Sequence, residues 1–198
     1  MPSTTNDTFS PEMIRILKIF GLGSILLVLI LSFFNDRKAN NSGDESNLMR
    51  ITDADRLYFK NIRAPYYDLE GRDDAKINIY RYGKRIKESE NPIINLSILL
   101  NRIKNEAYIF VEPAPETLPF VLKWKNETHL DSGKLAFYGG DKFAHFDFVM
   151  KLNMLLQDEI RFELEQEENT LPILKTEKER EALAITMKDY FRMVNFND

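Results

Sequence analysis

Among the side chains that could do acid–base or metal chemistry, the two histidines, His129 and His145, come first. Imidazole titrates near neutral pH and is the commonest protein ligand for transition metals. His129-Leu130-Asp131 precedes an expected hairpin strand, and an extended backbone there would aim His129 and Asp131 to one side. His145 stands four residues after Asp141, on nearly the same side of an expected helix. A cluster of His129, Asp131 and His145 would suit a divalent cation or a proton transfer. The spacing does not require one: there is no H-E-x-x-H, and the histidines lie sixteen residues apart across an expected strand. A surface loop histidine and a helix histidine paired within its own turn account for both more simply. No catalytic, cofactor-binding or metal-ligating residue is therefore assigned.

Other reaction classes find less support. The chain has no cysteine, which removes disulfides, thiolate nucleophiles and Cys-based metal sites. Ser89, Ser97 and Ser132 sit in no nucleophile motif. Gly139-Gly140 is a lone pair that reads as a strand-to-helix turn rather than a phosphate cradle, and Asp141 in the capping position would repel an anion beside Lys142. Glu163, Glu165, Glu167 and Glu168 form an acidic strip that a solvated strand face explains. Asn-x-Ser/Thr sequons at Asn6, Asn40, Asn95 and Asn126 carry no weight in so asparagine-rich a chain.

The element that bears most on function is apolar. From Ile19 to Phe34 no residue is charged, and only Arg15 and Lys18 interrupt the run back to Met13. Residues 13–34 are read as a membrane-spanning helix. From Leu17 to Phe34 it would rise about 27 Å, close to the hydrocarbon thickness of a bilayer. Bulky Phe33-Phe34 stand where a signal peptidase site needs small residues, which favours an uncleaved anchor. Basic residues are nearly balanced across the span, with Arg15 and Lys18 before it and Arg37 and Lys38 after it. The expected arrangement keeps the short N-terminal tail cytoplasmic and the C-terminal domain extracytoplasmic. No ionisable residue lies mid-span, and Gly21, Gly23 and Ser24 miss the small-xxx-small spacing of a tight helix dimer.

Around the span, residues 1–12 are a polar tail and residues 35–47, NDRKANNSGDESN, a flexible linker. Residues 48–198 have the length of one globular domain, and the whole chain is 43% apolar, as a globular protein is. A net charge of −4 argues against nucleic acid as a partner. Leu57–Ile62 and Tyr66–Leu69, interrupted by Pro65, read as irregular or edge-strand structure, and Gly71–Asp74 as a turn. Lys76–Tyr82 alternates, with Ile77 and Ile79 on one face and Tyr80 and Tyr82 on its more polar side. Residues 92–105 fit either a helix or a strand. The β-rich Tyr108–Val111 that follows favours a hairpin. Phe120, Leu122 and Trp124 mark a further strand, Asn126–Gly133 a polar turn, and Leu135–Tyr138 another strand. A helix capped by Asp141 should run through Leu156, followed by an amphipathic strand on Ile160, Phe162 and Leu164. A last helix starts at the Thr176–Glu179 capping box.

The expected class is α+β: one N-terminal transmembrane helix, then a mostly antiparallel sheet packed with two helices. The most suggestive feature of the domain is its aromatic set of Tyr58, Phe59, Tyr66, Tyr67, Tyr80 and Tyr82, part core and part candidate binding face. The functional expectation is a single-pass membrane-anchored binding or assembly module for a protein partner. The alternative is a membrane-anchored enzyme with an acid/His site in the C-terminal domain.

Overall fold

A computed structural model describes residues 10–33, 48–126, 130–156, 160–166 and 169–196. The chain divides into two compact units, Met1–Asn41 and Ser42–Asp198. The first holds helix α1, Pro11–Phe33. Ser10 opens it, its Oγ accepting from the Met13 amide. Over Pro11–Ile30 the mean hydropathy is 2.2 and none of that window is buried against protein. The helix is long and apolar enough to cross a membrane, a test that a signal sequence near the N-terminus also passes.

The second unit begins with a short helix α2, Asp53–Tyr58, continued by a π turn over Phe59–Arg63 and a 3-10 turn over Ala64–Tyr66. Strands β1 (Tyr67–Arg72), β2 (Ile77–Tyr82), β3 (Ile93–Asn101) and β4 (Ala107–Ala114) form an antiparallel meander. Strands β5 (Phe120–Asn126), β6 (Asp131–Phe137), β7 (Ile160–Gln166) and β8 (Asn169–Ile173) form a second antiparallel sheet in the order β6-β5-β7-β8. Helix α3, Lys142–Leu156, links the second sheet's β6 to its β7 and lies against β4 and β6. Helix α4, Glu177–Met193, closes the unit against the inner face of the first sheet. The Thr176–Glu179 capping box is present in full.

One apolar core joins both sheets and both long helices. It contains Ile98, Leu100 and Ile109 from the first sheet, Leu122 and Phe162 from the second, and Val149, Leu152, Met187 and Tyr190 from the helices. Strands β3, β4 and β5 supply alternate residues to it, as a half-buried pleat requires, whereas β1 supplies only Tyr67. Gly133 is small for a reason of packing: a Cβ there would meet the Trp124 ring at 2.8 Å.

Class, hairpin, both long helices and the amphipathic strand β7 agree with the expectations above. Several details differ. The sheet is two sheets, because the proline-broken segment after β4 ends one ladder and β5 then pairs with β6 and β7. Leu57–Ile62 is helical rather than strand-like, since the Thr52 hydroxyl accepts from the Asp55 amide and starts a helix. The turn expected at Gly71–Asp74 sits later: Gly71 and Arg72 belong to β1, and Lys76 takes a positive φ of 55°. The expected turn over Asn126–Gly133 ends sooner, with β6 starting at Asp131, and β8 is an additional strand. The faces of β2 are reversed: Tyr80 and Tyr82 are buried, whereas Ile77 and Ile79 are only half-buried. A tyrosine ring carries more apolar area than its hydroxyl forfeits.

Candidate interaction surface

The segment from α2 to the 3-10 turn sorts its side chains sharply. Phe59 points inward, fully buried, with its ring 5.6 Å from Tyr67 and 5.1 Å from Tyr80. Leu57, Ile62 and Tyr66 point outward and are 60%, 53% and 56% exposed. The π turn contributes to this sorting, since its wider repeat rotates the residues after Phe59 out of register with α2.

This segment is fastened to α4 by polar side chains. The Arg63 Nε donates to both carboxylate oxygens of Asp189, at 2.8 and 3.0 Å. The Tyr67 hydroxyl donates to the same carboxylate at 2.7 Å. Asp189 is buried, so the pair is partly desolvated and each group depends on the others. Burial works against the Arg63 cation, but hydrogen bonding and attraction from Asp189 outweigh it and leave its pKa raised. Burial, reinforced by Asp189, pushes the Tyr67 phenol well above its ordinary value. Further out, the Arg192 guanidinium lies 3.7 Å from the Tyr58 ring centre and donates to its hydroxyl at 2.7 Å. Asn195 reaches Asp55 at 2.9 Å. On the other flank Arg56 donates to the Asn101 carbonyl at 2.6 Å, tying α2 to the β3–β4 turn.

Between α2 and α4, the hollow lined by Tyr58, Phe59, Arg63 and Asp189 has a volume of only about 10 Å³. That is room for one water at most. What faces outward is therefore a surface, with apolar Leu57, Ile62 and Tyr66 and the Arg63 guanidinium 5.1 Å from the Tyr66 ring centre. Tyrosine and arginine held rigid beside aliphatic area are the residue types that dominate protein interfaces.

The expected acid/His site is dispersed. His129 lies outside the described residues. Asp131 is exposed at the start of β6, its Oδ1 accepting from the Ser132 amide. His145 is buried, stacked on Phe110 at 4.0 Å and edge-on to Phe137 at 5.0 Å. Its Nδ1 accepts the Val111 amide of β4 at 3.0 Å, a role that requires a neutral ring. Asp141 caps α3 as expected, accepting from the Phe143 and Ala144 amides. Among the described residues, no group of three His, Asp or Glu side chains is placed to hold a metal. No family model, curated protein or solved structure matches this chain.

Burial lowers the His145 pKa below its ordinary 6.5. The unfolded chain therefore takes up a proton at this site where the folded one resists it. Stability should fall as pH drops below about 6.5. The measurement is the urea midpoint across pH, followed by the fluorescence of Trp124, the single tryptophan. His145→Gln should flatten that slope; an unchanged slope would separate His145 from the pH dependence.

Among the described residues there are also wider hollows. A groove of about 640 Å³ is lined by Tyr82–Glu88 with Lys178 and Glu181, and in it Arg85 and Lys87 both bind Asp68. A second of about 550 Å³ lies on the outer face of β5, β6 and β7. There Glu165 takes Lys123 at 3.2 Å and Lys134 at 3.0 Å. The acidic strip is thus neutralised at Glu165 by lysines of β5 and β6; Glu167 and Glu168 lie outside the described residues. Lys134, then Lys123, hold the Glu165 carboxyl below its ordinary pKa.

The Arg63–Asp189–Tyr67 cluster is absent from the sequence-based expectations, although one signal for it exists. Asp189 falls on the α4 face that also carries Leu183, Thr186, Met187 and Tyr190, all buried. A carboxylate in that phase has to be partnered.

Proposed function

We propose that this chain is a single-pass membrane-anchored binding or assembly module, with α1 as an uncleaved anchor and the domain extracytoplasmic. The observation that carries the reading is the outward set Leu57, Ile62 and Tyr66 on a segment pinned to α4 through Asp189. Pinning removes conformational entropy before a partner arrives, so contact area there converts more fully into affinity. Confinement to a membrane raises the local concentration of whatever is recruited. The enzyme alternative has less to draw on, since His145 is committed to the Val111 amide inside the core.

A photo-reactive residue in place of Ile62, in the full chain in its native membrane, tests the docking surface. Covalent products at position 62 should disappear when Leu57→Glu is added. Products equal in amount to those from a photo-reactive residue at the exposed Lys134, on β6 of the second sheet, would count against this surface.

A further inference from the structure

Each sheet has two edges, and among the described residues those of β4 and β8 carry guarding features. β4 is flanked at its start by the Arg50–Glu106 bridge and further along by His145, which occupies the Val111 amide. α3 lies against β6. β8 carries Pro172 mid-strand, which removes a backbone donor. Among the described residues, β1 has none of these devices. The Gly83 amide donates to the Tyr66 carbonyl at 2.9 Å, which sets the phase of the β1–β2 ladder. Asp68, Glu70 and Arg72 then direct their backbone groups toward β2, and Tyr67, Leu69 and Gly71 direct theirs outward. Leu69, facing the same side as Tyr67, is 59% exposed beside this edge.

We infer that the β1 edge pairs with β1 of a second copy, antiparallel about a two-fold axis at Glu70. An unguarded edge is a template for strand addition, and a two-fold contact must complement itself. The Glu70 register does so. Leu69 exchanges backbone hydrogen bonds with Gly71 of the second copy, and Asp68 lies opposite its Arg72, once on each side of the axis. Glu70 then faces Glu70 of the second copy, but each is already held by its own Arg81 at 2.6 Å. Centring on Leu69 instead would set Asp68 against Glu70 twice, which like charges disfavour. The pairing joins two first sheets into one continuous sheet.

This deepens the assembly reading by naming a partner, and its test is separate from that for the Ile62 surface. The chain has no cysteine, so single thiols report position without background. Glu70 on the axis would sit in a non-hydrogen-bonded pair with Cα atoms about 4.5 Å apart, within disulfide range. Full-length Glu70→Cys in membranes, under mild oxidation, should give a disulfide-linked dimer well above the Lys104→Cys control. Leu69→Pro should reduce it to the control level, because the Leu69 amide points away from β2 and its loss spares the ladder within the chain. Leu69→Lys provides the same test if Leu69→Pro loses its cooperative Trp124 unfolding transition. No cross-link at position 70, equal cross-linking at position 104, or yield unaffected by the edge variants would overturn the inference. None of these outcomes touches the Ile62 result, which reports a different face.

Discussion

Asp189→Ala should destabilise the globular unit by about 3–5 kcal/mol, the cost of breaking a buried ion pair by removing one partner. Its carboxylate receives the Arg63 Nε and the Tyr67 hydroxyl, and truncation leaves the buried Tyr67 hydroxyl unpaired and the half-buried Arg63 guanidinium without its counter-charge. The loss should also release the segment around Ile62, so photo-cross-linking there should fall together with the urea midpoint. Replacing Arg63 and Asp189 together by Met and Leu should cost much less than Asp189→Ala alone, since two well-packed apolar residues leave no unpaired charge. Urea denaturation of the detergent-solubilised chain, read through Trp124, measures both. A loss below about 1 kcal/mol for Asp189→Ala, the scale of an exposed ion pair, would show that the cluster is not a clamp.

The second large effect concerns α1. Paired substitution of Leu26 and Leu27 by Arg places two cations near the middle of the helix. At about 2.5–3.5 kcal/mol each, they should raise the insertion cost by about 5–7 kcal/mol. The natural window has a mean hydropathy of 2.2 and no charge beyond Lys18, so this change should shift the chain out of the alkali-resistant membrane fraction. Phe59 and the remaining core lie in a separate compact unit, and the Trp124 unfolding transition should keep its midpoint. Retention of the doubly substituted chain in the membrane fraction would mean that something other than α1 anchors it.

Legibility followed the range of the forces involved. Period-two alternation on Ile160, Phe162 and Leu164 and the Thr176–Glu179 box are local, and both stand in the structure as read. The hairpin of β3 and β4 followed from β-branched content, again a local signal. The choice of β7 rather than β4 as the neighbour of β5 is a tertiary decision, and local patterning did not contain it. The reversed faces of β2 have a physical cause: Tyr80 and Tyr82 count as polar in a binary pattern, yet their rings pack against Phe59 and Tyr67. The helical start at Thr52 was readable, because Thr three residues before Asp is a capping pattern. The π turn after it has no comparable signature. Of the expected binding aromatics, Phe59, Tyr67, Tyr80 and Tyr82 are core and Tyr66 is exposed, a division set by the turns over 59–66 together with the inward phase of β1 and β2. His145 shows the same limit. Its chemistry was visible in the sequence, but its role as the partner of an edge-strand amide needed β4 alongside α3.

The most direct measurement is protease accessibility of the C-terminal domain in sealed membrane vesicles whose cytoplasmic face is outward, with tags at both ends of the chain. The account predicts that before protease the two tags lie on one polypeptide, and that protease then removes only the N-terminal tag, with the domain protected until detergent opens the vesicles. Loss of the N-terminal tag by processing, or digestion of the domain without detergent, would contradict it.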